Sequence, residues 1–217
     1  MDFTKNLPVL DAEQIRVLGA LMEKCKTTPD YYPMTLNGLA AACNQKTSRK
    51  PVVQYDESTI ATALNSLKIA GLISTATGGS IRNIKYKHNF AIVFPLLPSE
   101  VAVMCLLFLR GPQTPGEINT NSGRLYEFET LEEVQQTLEK LASEEPAYIK
   151  QLPRKAGQKE QRYMHLFAGD VESIEEDYLN EEPPKSTNQL EERLTKVEQE
   201  LAELKENFDK LMKELMG

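Results

Sequence analysis

The chain carries one pattern twice, and that repetition limits what it can fold into. Tyr86-Lys87-His88-Asn89-Phe90 returns as Tyr163-Met164-His165-Leu166-Phe167, 77 residues later. Leu64 and Leu67 return as Leu138 and Leu141 after 74 residues, and Thr28-Pro29 as Thr114-Pro115 after 86. Offsets that drift only through loops mean one fold used twice.

The repeated unit is most legible between Asp56 and Phe90. Asp56 is placed to cap a helix by accepting from backbone N–H groups that the first turn leaves unpaired. Ile60, Ala63, Leu64 and Leu67 then recur at helical spacing. Gly71 suits the left-handed residue that ends a helix. Leu72-Ile73 and Ile84/Tyr86 read as strands about a Gly78-Gly79-Ser80 turn. A helix followed directly by a hairpin is the second half of a winged helix.

Upstream, Asp11 and Gln14 make a capping-box start to a helix from Leu10 to Cys25, with Ile15, Leu18, Leu21 and Met22 inward. Thr35 opens a short helix through about Cys43. The loop from Asn44 to Pro51 follows, carrying Lys46, Arg49 and Lys50. In the second half an apolar helix runs from Pro98 through Leu109, where Gly111-Pro112 stop it. Thr114 with Glu117 and Thr130 with Glu133 read as capping boxes opening two more helices. Strands from Ala147 to Leu152 and Arg162 to Phe167 complete the copy.

The expected fold is therefore α+β and mainly helical: two tandem winged-helix domains followed by a C-terminal coiled-coil helix. Domain 1 spans residues 8–92, domain 2 spans 96–168, an acidic linker 170–186 and the coiled coil 187–217. Leu190, Leu194, Val197, Leu201, Leu204, Phe208, Leu211 and Leu215 step by alternating fours and threes. That heptad seam, about 39 Å of helix at 1.5 Å per residue, leaves an apolar stripe wet unless it pairs. A homodimer through Leu190–Leu215 is the economical expectation; folding back onto the chain's own domains is the other.

The net charge of −7 is unevenly distributed. Residues 1–95 hold 11 Lys/Arg against 7 Asp/Glu, residues 96–169 hold 8 against 10, and residues 170–217 hold 6 against 15. The acidity sits in the tail, and the first third is mildly basic. The longest apolar run, Val101 to Leu109, is far short of the roughly 18 residues a membrane helix needs. The N-terminus has no basic-then-apolar signal pattern. Cys25, Cys43 and Cys105 are isolated, odd in number and without metal-type spacing, which fits a reducing cytoplasm.

No catalytic constellation emerges, so the chain reads as neither an enzyme nor a holder of metal or cofactor. The two histidines, His88 and His165, occupy equivalent strands, and their equivalence points to structural roles, each satisfied at a strand–helix junction. Gly78-Gly79 lies inside a hairpin and lacks the lysine pattern of a phosphate loop. Glu132-Glu133 and Glu144-Glu145 read as solvated helix surface.

The fold itself suggests nucleic acid. In a winged helix the third helix enters the major groove and the wing touches the backbone. Ser58, Thr59, Thr62, Asn65, Ser66 and Lys68 are the exposed positions of that helix, short groups able to reach base edges. Lys46, Arg49 and Lys50 ahead of it, and Arg82, Lys85 and Lys87 in the wing, would neutralise phosphates. The third helix of domain 2 presents Glu132, Glu133, Gln136, Glu139 and Lys140, which a phosphate backbone would repel. Its wing is basic, with Arg154, Lys155, Lys159 and Arg162. The expectation is a dimeric DNA-binding protein of the transcription-regulator kind, using domain 1. The alternative is a tandem winged-helix protein–protein interaction module, with a protein partner on domain 2.

Three stretches carry a family resemblance: EKCKTTPDYYPMTLNGLAAACNQKTSRKPV from Glu23 to Val52, LRGPQTPGEI from Leu109 to Ile118, and LPRKAGQKEQRYMHL from Leu152 to Leu166. Over residues 10–168 the chain resembles the bacterial YceH-like family. The resemblance implies tandem winged helices and brings no established activity. Ile118-Asn119 follow Glu117 where family members carry an Arg soon after, which removes one cation. Within these motifs Arg110, Arg124, Arg154, Arg162, Tyr31, Tyr32, Asn44 and Gln45 are the residues least explained by folding alone.

Overall fold

The computed structural model describes residues 6–77, 84–154 and 160–169, together with Lys196, Gln199 and Lys205. The protein is α+β and mainly helical, with two-stranded antiparallel sheets among the described residues. Residues Met1–Glu175 form one compact unit and Glu176–Gly217 a second. In the second, Lys196, Gln199 and Lys205 are helical. The acidic linker and the heptad seam from Leu190 to Leu215 lie outside the described residues.

The first half runs α1 (Ala12–Thr27), α2 (Leu36–Cys43), α3 (Glu57–Ile69), β1 (Ile73–Thr77) and β2 (Ile84–His88). The sequence signals for these elements act locally. The Gln14 N–H donates to Asp11 Oδ1 at 2.7 Å while the Gln14 side chain accepts from the Asp11 N–H, the reciprocal box that satisfies two orphan donors. The Asp56 carboxylate accepts from the Thr59 N–H at 2.7 Å and opens α3. That helix ends at Gly71, whose φ is 77°. The Leu72 N–H donates to Leu67 O and the Gly71 N–H to Lys68 O, the paired bonds of a Schellman stop. β1 and β2 pair from Ile73↔His88 to Thr77↔Ile84, and Met34 adds a single bridge to Tyr86.

After a single turn, α4 (Phe90–Val93), the order repeats as α5 (Pro98–Arg110), α6 (Pro115–Ser122), α7 (Leu131–Ser143), β3 (Ile149–Gln151) and β4 (Tyr163–His165). Gln113 bridges Tyr163 as Met34 bridges Tyr86, so the repeat extends to its isolated pairings. Thr114 and Glu117 form the expected box. Thr130 and Glu133 form half of one. Thr130 Oγ1 accepts from the Glu133 N–H, but the Glu133 carboxylate takes the Glu129 N–H and the Tyr126 hydroxyl instead of the Thr130 N–H.

α1 is buried on more than one side. Ile15 through Met22 are buried without a break, where the sequence predicts a single stripe. The second face is covered by α5, itself buried from Ala102 through Leu109. The two copies thus share one continuous apolar core. Phe90 and Phe167, equivalent positions of the two copies, meet at 5.6 Å between ring centroids, with Phe108 against both.

Gly19 sets the approach of α1 to α5. A Cβ there would stand 3.0 Å from both the Phe108 Cβ and the Leu109 Cδ2. A mid-helix glycine costs about 1 kcal/mol against alanine, so close packing is the compensating reason. Gly19→Val is expected to lower stability by about 3 kcal/mol through overpacking. A urea midpoint unchanged by the substitution would mean that the two helices can part freely.

Candidate functional site

The sequence places six side chains of α3 at exposed positions. Ser58, Thr62, Asn65 and Lys68 are exposed, whereas Thr59 and Ser66 are half-buried. Ser58, Thr62 and Asn65 fall on one stripe at spacings of four and three. Some of their hydrogen-bonding capacity is already used within the helix. The Ser58 hydroxyl donates to Asp56 Oδ1 and the Thr62 hydroxyl to the Ser58 carbonyl. Ser58, Thr59, Thr62 and Ser66 also border a groove whose other wall is Asp11, Glu13 and Gln14 of α1. Those carboxylates make that edge of α3 unfavourable for phosphate.

The loop before α3 divides its three cations. Lys46 and Lys50 are exposed. Arg49 is buried, and its side chain has no exposed surface. Its guanidinium grips Glu23 with both arms, at 3.1 and 2.6 Å, and donates twice more to the Ala42 carbonyl at the end of α2. Burial pushes the Glu23 carboxyl up, and Arg49 and Lys24 reverse this, leaving it below its ordinary value. Arg49 is therefore spent on holding the loop, and its charge is not at the surface for a phosphate.

A second buried arginine works beside it. Arg16 donates to the Cys43 carbonyl at 3.1 Å and to the Pro51 carbonyl at 2.6 Å. Two guanidiniums thus meet the carbonyl end of α2, where the helix dipole is negative. Arg16 sits between Ile15 and Val17, off the stripe of Ile15, Leu18, Leu21 and Met22 that the sequence marks as inward. Its neighbours α2 and Pro51 are distant in sequence, so no local signal marks it.

The hairpin supplies the remaining cations. Lys85 is half-buried and Lys87 exposed, alternate residues on one side of β2 opposite Ala76 and Ser74. Arg82 lies outside the described residues. The structure therefore leaves Lys46, Lys50 and Lys87 as exposed cations about α3, with Lys68 on the helix itself.

In the second copy, Glu132, Gln136 and Glu139 are exposed on α7. Glu133 is engaged as described, and Lys140 is bonded to the buried Glu100 at 2.5 Å. Arg162 is held by Glu117 at 2.5 and 2.7 Å and by the Pro112 carbonyl, while Arg154 is exposed. Lys155 and Lys159 lie outside the described residues.

Most of the motif residues left over in the sequence have partners here. Arg110 donates to Ser48 Oγ at 2.9 Å. The Asn44 side chain both donates to the Tyr55 carbonyl and accepts from its N–H, at 2.8 Å each. The Tyr32 hydroxyl accepts from the His88 N–H, and Gln45 accepts from Lys24. Arg124 and Tyr31 are exposed.

The histidines are placed equivalently, as expected, but are not satisfied. Nδ1 of both His88 and His165 is buried without a partner. Burial lowers each to a pKa of about 4, with the Lys26 charge adding to the effect at His88, so both rings are neutral at pH 7. Cys43 and Cys105 are buried free thiols, and burial raises the Cys43 thiol to about 12. No helix among the described residues is long and apolar enough to cross a membrane.

A duplicated helical unit closed by a short antiparallel hairpin, with its polar motifs turned largely to internal use, defines the class. The chain belongs to the family described as "Protein of unknown function, DUF480", which matches residues 10–158. It is 48% identical to a UPF0502 protein of Solibacter usitatus over 200 residues, covering 92% of this chain and 95% of that one. Identity to the UPF0502 protein YceH of Escherichia fergusonii is 42% over 211 residues, 95% of this chain and 97% of the relative. A UPF0502 protein of Opitutus terrae is 47% identical over 179 residues, 82% and 78% of the two chains. The YceH-like membership expected from the motifs holds.

Proposed function

We propose that the protein is a cytoplasmic DNA-binding regulator built from tandem winged helices, reading double-stranded DNA with α3 and the hairpin of the first copy. The observation that carries this reading is the exposed stripe Ser58, Thr62 and Asn65, with Lys68 beside it and exposed Lys46, Lys50 and Lys87 on the flanking segments. Short polar groups suit base edges, and cations on either side suit the two phosphate strands. The order of three helices and a hairpin, with Met34 adding a third short pairing, supports the winged-helix reading. The heptad seam would join two chains and so place two copies of α3 on one duplex.

The test is fluorescence anisotropy of the full chain with a mixed-sequence duplex at low salt, alongside light scattering. The expected mass is twice that of one chain. With roughly four phosphate contacts, affinity falls roughly 100-fold between about 50 and 200 mM salt. Lys46→Glu combined with Lys50→Glu and Lys87→Glu removes binding, while Thr62→Ala and Asn65→Ala reduce sequence preference. Absence of binding to any duplex at low salt ends this reading.

One observation favours protein recognition instead: α7 keeps Glu132, Gln136 and Glu139 exposed, so the second copy offers an acidic face. A stoichiometric protein partner retained after nuclease treatment, and lost on Glu132→Lys with Glu139→Lys, would select that alternative.

A further inference from the structure

A cavity of about 310 Å³ lies in the first compact unit, bounded by α1, the 50–55 segment, the end of α5 and the turn after β4. Ile15, Phe108 and Met164 contribute apolar wall, and Arg16, Lys50 and His165 contribute the nitrogen-bearing side chains. The Asp11 carboxylate also borders it, and is bound to the Gln14 N–H as the cap of α1.

Two of these side chains keep a buried nitrogen with no partner: Nε of Arg16 and Nδ1 of His165. Leaving such a group unpaired is unfavourable, and buried polar atoms in native proteins are nearly always satisfied by protein, water or ligand. Arg16 is the more demanding of the two. It is a buried cation whose two terminal nitrogens are used by carbonyls, and no carboxylate is bonded to it among the described residues. Its partner in burial, Arg49, has Glu23. A buried charge without a counter-charge calls for an anion. A planar carboxylate accepts from guanidinium N–H groups by short, charge-assisted bonds. The apolar wall calls for a ligand whose remaining body is hydrophobic. The volume is at the lower end of small-molecule sites, suited to a one- or two-ring or medium-chain acid.

We propose that this cavity binds a small organic carboxylate with an apolar body. The carboxylate pairs with the Arg16 guanidinium and faces Lys50 at the exposed rim, the His165 ring borders the ligand, and the apolar body lies against Phe108 and Met164. Uptake of the acid does not require nucleic acid, although both readings draw on Lys50. A chain that takes up the acid and ignores every duplex would sink the DNA reading and leave this one standing.

The test is thermal unfolding of the full chain with 4-phenylbutyrate, indole-3-acetate or octanoate, each compared with its neutral amide. The expected result is a saturable rise in Tm with at least one acid and none with the matching amide. Ala168 also borders the cavity and is half-buried, so Ala168→Phe should fill the space and abolish the rise. Lys50 is exposed, so Lys50→Gln keeps the fold and is expected to weaken the acid roughly fivefold even where Ala168→Phe does not fold. In NMR, the ring protons of His165 should shift on titration with the acid. No rise with all three acids, or an equal rise with acid and amide, overturns the proposal. So does a rise that survives Ala168→Phe, or that Lys50→Gln leaves unchanged. A cavity occupied by water alone would give the first of these outcomes.

Discussion

Arg49→Ala is expected to destabilise the protein by about 3 kcal/mol, because it removes the buried partner of an ion pair and leaves the half-buried Glu23 with Lys24 alone. Glu23 would keep its burial and lose both arms of the guanidinium, and the Ala42 carbonyl would lose its donors. For a unit of this size the loss corresponds to a fall in Tm of roughly 10 °C. Lys46→Ala, three residues earlier and exposed, should stay within about 0.5 kcal/mol of the parent. Thermal unfolding followed by circular dichroism checks both. The double variant Arg49→Met with Glu23→Met should recover part of the loss, since Glu23 no longer lacks its main partner and Lys24 keeps its bond to Gln45. If Arg49→Ala is as stable as Lys46→Ala, the buried pair is not what holds this loop. Arg49 is left intact in the DNA experiment, since its variant would lose binding by losing the fold.

Acid should destabilise the protein well before most carboxylates are protonated. His88 and His165 have pKa values of about 4 in the folded chain, because both rings are buried, against an ordinary value of 6.5. Between those values the unfolded chain takes up protons that the folded chain refuses, so stability rises with pH across the window and falls as pH drops. Above the unfolded value the effect vanishes. At pH 5 each histidine costs the fold about 2 kcal/mol, and the pair about 4. Glu23, whose pKa is lowered, acts in the same direction, but below its ordinary value of 4.5. The interval from pH 5 to 6.5 therefore isolates the histidines. Urea midpoints measured from pH 7.5 to 5 should slope accordingly, and His88→Leu or His165→Leu should each remove about half of the slope. A flat profile over that interval would show that the folded rings are protonated.

What the sequence revealed was set by neighbours within a few residues. The Asp11 box, the Asp56 cap, the Gly71 stop and the order of helices and hairpins depend on short-range chemistry, and they appear in the structure where the residues place them. The halves of the repeat were legible for the same reason. What stayed hidden depends on partners far along the chain. Arg49 reads as a surface cation until Glu23, 26 residues away, is brought to it. Arg16 falls off the inward stripe of α1 and gives no signal until α2 ends against it. Gly19 gives no signal before α5 packs on α1. The candidate site was half legible: exposed polar positions on α3 follow from helical periodicity, but the number of free cations could not be known before Arg49 was seen to be buried.

The α1–α5 crossing has an implication for the molecule's symmetry. α1 and α5 are the same helix in the two copies, and Phe90 and Phe167 are the same residue, and in each case like touches like. That is the contact pattern of an isologous dimer, in which one surface patch meets itself across a twofold axis. The first compact unit is therefore organised like an isologous pair within a single chain. Within one chain the two halves need not change together. It is under that freedom that α3 can stay neutral and polar while α7 turns acidic, one gene thereby carrying two unlike faces on a pseudosymmetric frame.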